Sequence, residues 1–129
     1  MTAILLTIKK RPDFIRAYQK GSHVVKSGFI LQVFRRSESG AVRIGFTATK
    51  KLGKAVERNR AKRRLRALSA RILPERGEQG CDYVFVARKG VFDRPFGRLC
   101  RDLKDALKEI KENDSPRPEL QPEQPEQQE

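Results

Sequence analysis

The chain has 129 residues and a mass of 14.8 kDa, enough for one domain with a modest core and too short for a large multidomain enzyme. Its 29 Lys and Arg against 16 Asp and Glu give a formal net charge of +13. That imbalance sets it apart from an ordinary near-neutral metabolic enzyme and points to a polyanionic partner.

In chain order, the apolar start from Met1 to Ile8 is too short for a membrane span and lacks the basic flank of a signal peptide. Residues 12–20 read as a short helix: Pro12 suits a first turn, Asp13 its dipole, Phe14, Ile15 and Tyr18 fall at one-turn spacing, and Gly21 stops it. A short strand fits His23 to Lys26. Phe29 to Arg36 is rich in β-formers and is followed, across Ser37-Glu38-Ser39-Gly40, by the alternating Val42, Ile44, Phe46 and Ala48, a pair that reads as a β-hairpin. Lys54 to Leu73 carries one apolar stripe of Ala61, Leu65, Leu68 and Ile72 and reads as a long helix ended by Pro74. Tyr83 to Ala87 is a buried strand, and Asp93 is placed to N-cap a last helix bearing Leu99, Leu103, Leu107 and Ile110. The expected class is α+β, with element order αβββαβα over a domain of residues 1–112.

Residues 113–129 differ in composition, with five acids against Arg117, four prolines, five glutamines, and Leu120 as the one large apolar side chain. They read as a disordered acidic tail that solvates the chain, with an acidic decoy against promiscuous binding as the sharper alternative. Cys81 and Cys100 form no CxxC, and His23 has no neighbouring ligand, so neither a zinc site nor a disulfide framework is signalled. A reduced, cytoplasmic protein is expected.

The segment from Lys50 to Arg71 holds ten bases (Lys50, Lys51, Lys54, Arg58, Arg60, Lys62, Arg63, Arg64, Arg66, Arg71) against Glu57 alone. At about 100° per residue, Asn59, Arg63 and Arg66 fall opposite the apolar stripe. Solvated helix faces mix charge signs, because like charges one turn apart repel by a few tenths of a kcal/mol. Ten bases with one acid therefore imply a counter-charge outside the chain, and arginine's planar fork suits phosphate. A membrane helix would need bulky apolar residues opposite the charge, whereas this stripe of Ala and Leu belongs to the core. No nucleophile with its base, paired carboxylates or metal cluster stands out, so no catalytic side chain is assigned. Asp13, Glu57, Asp82, Asp93, Asp102 and Asp105 are placed to cap helices or pair with Lys and Arg, and His23 to sit in a strand.

The run from Thr49 to Arg66 resembles the KKxGxAVxRNRxKRxxR signature of the protein subunit of bacterial ribonuclease P. Lys9 to Phe14 with Tyr18 and Gly21, Arg43 to Phe46, and Gly80 to Arg88 extend the resemblance over roughly residues 5–110. It implies a two-layer α/β sandwich like ribosomal protein S5 domain 2, with a left-handed βαβ crossover through the basic helix. It also implies a ribonucleoprotein endonuclease that removes the 5′ leader of precursor tRNA, in which a catalytic RNA holds the magnesium ions and the protein supplies affinity and positioning. No organic cofactor, membrane or obligatory protein partner is expected.

Carried over residue by residue, the resemblance places Lys50, Lys51, Lys54, Arg58, Asn59, Arg60, Lys62, Arg63 and Arg66 on the catalytic RNA. Phe14, Tyr18, Ile30 and Gln32 would line a cleft for the single-stranded leader, where flat rings stack on any base. The residues alone favour ordinary core for Phe14 and Tyr18; the cleft is what the resemblance implies. Gln32 stands where the family often has an aromatic residue. A ribosomal or ribosome-assembly protein shares the charge and size and remains the alternative.

Overall fold

The computed structural model describes residues 5–113, with the backbone alone for the last two. The acidic segment 114–129 lies outside the described residues. In chain order the elements are β1 (Leu5–Thr7), α1 (Arg11–Lys20), β2 (Ser22–Val25), β3 (Phe29–Arg35), β4 (Val42–Thr47), a 3-10 turn at Lys50–Leu52, α2 (Ala55–Arg76), β5 (Cys81–Ala87), α3 (Gly90–Asp93) and α4 (Phe96–Asn113). The expected α+β class and the long basic helix are present, with β1 and the one-turn α3 added.

The five strands form one sheet in the order β1-β4-β5-β3-β2. The expected β3–β4 hairpin does not form. β5 enters between the two strands, antiparallel to β3 and parallel to β4, and the observed hairpin is β2–β3. The reason lies in β5 itself: six of the seven residues of Cys81–Ala87 are buried, so it needs a covered surface on both faces and a strand on each side. The chain returns from β4 to β5 through α2, the parallel crossover that the resemblance implies.

One face of the sheet carries the main core, where Phe29, Leu31, Ile44, Tyr83 and Phe85 meet Leu65, Leu68 and Leu73 of α2 and Leu99 and Leu103 of α4. The other face carries α1, with Ala17 buried against Ile8 and Val84. Two helix boundaries differ from expectation. α2 runs through Pro74 to Arg76, its last turn closed by the Gly77 amide on the Leu73 carbonyl; near the end of a helix, Pro forfeits only the bond to Ala70, which is exposed. Asp93 ends α3 instead of capping α4, whose first amides, Arg98 and Leu99, bond the carbonyl of Pro95.

On the α1 face, Asp82 is almost wholly buried and accepts hydrogen bonds from Arg36 at 2.8 Å and, through both oxygens, from Arg43 at 2.7–2.8 Å. Those bonds hold the Arg43 guanidinium still more firmly protonated than usual. Arg43 also reaches Asp13 at 3.4 Å, which joins α1 to the sheet. Removing one partner of a buried pair leaves the others without compensation. Asp82→Ala is therefore expected to cost about 3 kcal/mol, read as a lower urea midpoint with little change in slope; an unchanged midpoint would show that the arginines do not depend on it.

Candidate nucleic-acid interface

α2 begins at a constrained turn. Gly53 has φ +154°, and a Cβ there would lie 2.6 Å from the Glu57 carboxylate, so glycine is required. Glu57 Oε1 accepts the Lys54 amide at 2.7 Å, closing the first turn, and Arg58 Nη1 donates to the Gly53 carbonyl at 2.9 Å. The one acid of the basic segment is thereby engaged with backbone. None of its ten bases forms an ion pair among the described residues, where every salt bridge involves other cations.

The helix sorts these bases by what they touch. Ala61, Leu65, Leu68 and Ile72 are buried, as the stripe predicts, and Asn59, Arg63 and Arg66 are exposed on the opposite side. Arg66 lies 5.3 Å from the ring of Phe46, along the β4 flank, and Arg60 lies 4.7 Å from the ring of Phe92, along the α3 flank. Such contacts hold a guanidinium in place without neutralising it. Arg64 donates to the Arg94 carbonyl at 2.9 Å and is half-buried, so it ties α2 to the α3–α4 connection. Lys50, Lys51 and Lys54 are exposed at the turn that leads into the helix.

The second surface is set by strand register. Residues His23, Gln32, Val84 and Gly45 form one row across the α1 face, and Val25, Ile30, Val86 and Thr47 the next. α1 covers the first row. Phe14 packs on Gly45, where an added Cβ would fall 2.5 Å from its ring, and the ring of Tyr18 lies 5.7 Å from that of His23. His23 is buried, with Nε2 2.9 Å from the Tyr18 carbonyl. The second row is left open: Ile30, Val86 and Thr47 are partly exposed and Val25 is 46% exposed. On the far side of α1, Arg16 lies over Phe34.

Phe14 and Tyr18 thus lie over the covered row, and Ile30 lies in the open row beside it. Gln32 is placed differently: it lies in the covered row and is 4% exposed. Val86 and Thr47 share the open row with Ile30 and were not among the sequence candidates, because the alignment of β4 and β5 beside β3 is legible only once β5 is known to stand between them. The open row and the start of the basic helix lie at the C-terminal ends of the parallel strands β4 and β5, where Thr47 is followed by Lys50 and Val86 by Arg88 and Lys89.

Among the described residues, no three His, Cys, Asp or Glu side chains come together as metal ligands, and Asp13, Asp82 and Asp102 are held by arginines. Burial pushes the Tyr83 phenol and the Cys81 thiol above their ordinary values, in the main core away from both surfaces. No described helix is long and apolar enough to cross a membrane.

Fold and surface together define a small α+β protein that presents a cationic helix beside a partly exposed, partly apolar row of strand residues. The sequence profile of the Ribonuclease P family matches residues 5–111. A ribonuclease P protein component from Caulobacter vibrioides is 47% identical over 100 residues, covering 78% of this chain and 67% of the relative. One from Paramagnetospirillum magneticum is 40% identical over 114 residues, covering 85% and 86%. Among solved structures, the RNase P protein of Staphylococcus aureus has TM-score 0.66 at 31% identity, covering 81% of this chain and 94% of its own. That of Thermotoga maritima has TM-score 0.68 at 27% identity, covering 81% and 96%. The chain belongs to the ribonuclease P protein family.

The two neighbouring arginines of α2 separate fold from surface. Arg64→Ala loses a half-buried hydrogen bond and is expected to destabilise by about 1–2 kcal/mol, whereas Arg63→Ala stays within about 0.5 kcal/mol. Equal effects in urea denaturation would contradict this division.

Proposed function

We propose that this chain is the protein subunit of a ribonuclease P ribonucleoprotein and binds both its catalytic RNA and precursor tRNA, promoting endonucleolytic removal of the 5′ leader. The observation that carries this is the Lys50–Arg71 segment, whose ten bases lack any acid partner among the described residues while its apolar stripe is committed to the core. Membership of the family and the relatives' description as ribonuclease P protein components support it.

In this reading Lys50, Lys51, Lys54, Arg58, Arg60, Lys62, Arg63 and Arg66 meet phosphates of the catalytic RNA. Asn59, exposed between two arginines, offers both a donor and an acceptor. The open row of Ile30, Val86 and Thr47, beside Phe14 and Tyr18, takes the unpaired leader, with ring faces stacking on bases irrespective of sequence. Gln32, under α1, does not stack. Because both surfaces lie at the ends of β4 and β5, one precursor can lie along the open row while its body rests on RNA held by α2. Magnesium and the chemistry of hydrolysis are assigned to the catalytic RNA.

The deciding experiment is precursor tRNA cleavage at low and near-physiological magnesium, with the protein alone, the cognate catalytic RNA alone, and both together. Cleavage at low magnesium only in the mixture supports the reading; no effect of the protein, with tight binding to ribosomal RNA, moves the assignment to a ribosomal protein. Two variants report on the surfaces separately. Arg63→Ala should weaken catalytic-RNA binding and reduce the log–log salt slope by roughly 0.7–0.9; an unchanged slope would mean that Arg63 meets no phosphate. Phe14→Ala should weaken precursor binding more than mature tRNA binding, and an equal loss for both would make the ring a packing residue only.

A further inference from the structure

A groove of about 820 Å³ lies at the opposite end of α2 from its N-terminal turn, where the last turns of α2 and α4 meet the sheet. Val33, Leu107 and Ile110 supply its apolar lining. Arg35, Arg76, Lys104, Lys108 and Lys111 border it, with Glu75, Glu78 and Asp105. Glu78 holds Arg35 at 2.6 Å and Lys111 at 3.4 Å. Arg76, Lys104 and Lys108 take part in none of the ion pairs among the described residues. The groove therefore combines an apolar floor with a net positive rim.

α4 ends at Asn113, one turn beyond Ile110, so the chain leaves the fold at the lip of this groove. The sequence beyond Asn113 is the groove's chemical complement: Asp114, Glu119, Glu123, Glu126 and Glu129 against Arg117, with Leu120 as the one large apolar side chain. We propose that residues 114–129 fold back into the groove, with Leu120 on Val33, Leu107 and Ile110 and with Glu119 and Glu123 beside Lys104 and Lys108.

The reach is sufficient. Seven residues from Asn113 to Leu120 span about 22 Å when extended, whereas α4 rises only about 14 Å from Lys104 to Asn113. Pro116, Pro118, Pro122 and Pro125 restrict the unbound chain and lower the entropy lost on docking. Tethering also replaces a bimolecular encounter by a high effective concentration. The consequence is spatial: Arg76, on the rim, is about 27 Å along α2 from Arg58, so the acids are held away from the cations that face outward near the helix start. This differs from a decoy, which would lie on those cations, and it holds whichever polyanion α2 takes.

Zero-length carbodiimide coupling of carboxylates to amines tests it on the full chain, using a mixture of isotopically labelled and unlabelled protein with peptide mass analysis. The expected products join Glu119 or Glu123 to Lys104 or Lys108 within one chain, and their yield falls about tenfold in Leu120→Asp, the loss expected for an unburied leucine. Circular dichroism of the variant checks that the fold is unchanged. The proposal is overturned by coupling to Lys50, Lys51, Lys54 and Lys62 at comparable yield, by products between labelled and unlabelled chains, by no coupling of the segment, or by groove products that Leu120→Asp leaves undiminished.

Discussion

The separation of charge within the fold is the constraint on which the rest depends. Asp82 and Asp13 are gathered by Arg36, Arg43 and Arg16 on the α1 face, Asp102 by Arg94, and Glu78 by Arg35 and Lys111. Glu57, the one acid of the basic segment, closes the first turn of α2 through a backbone amide. The cations of α2 are left facing one another, at a cost of a few tenths of a kcal/mol for each pair one turn apart. The helix sustains this because Leu65, Leu68, Ile72 and Leu73 are buried on its other side, each contributing on the order of 1.5–3 kcal/mol. Packing thus stabilises a surface whose cations have no acidic partner among the described residues.

The insertion of β5 between β3 and β4 sets where that surface lies. It makes β4 and β5 parallel neighbours joined through α2, so the turn into the basic helix, the Arg88-Lys89 pair and the open row of Ile30, Val86 and Thr47 fall at one end of the central strands. Phe14 packs directly on the sheet because Gly45 presents no side chain beneath it. On the proposed reading, the open row takes an unpaired strand while the cationic helix meets the phosphates of a folded RNA.

Local signals in the sequence were legible where one element carried its own pattern. The stripe from Ala61 to Ile72 placed Asn59, Arg63 and Arg66 on the exposed side of α2, and the pairing of Asp82 and Asp102 with arginines could be read from their isolation. Non-local pairing was not legible. Phe29–Arg35 and Val42–Thr47 are separated by a turn-rich stretch that favours a hairpin, and only the burial demand of the apolar strand Cys81–Ala87, some forty residues on, displaces that pairing. The same displacement hid Val86 and Thr47 as companions of Ile30 and placed Gln32 under α1. Cation–π contacts of Arg60 and Arg66 likewise depend on Phe92 and Phe46, which periodicity along α2 cannot reveal.

The most direct test of the claim that α2 is the RNA surface is lysine acylation footprinting of the protein with and without the catalytic RNA of ribonuclease P. Protection of Lys50, Lys51, Lys54 and Lys62, with Lys104 and Lys108 labelled as in the free protein, is the predicted result. Protection of the α4 lysines, with those around the start of α2 labelled as before, would contradict it.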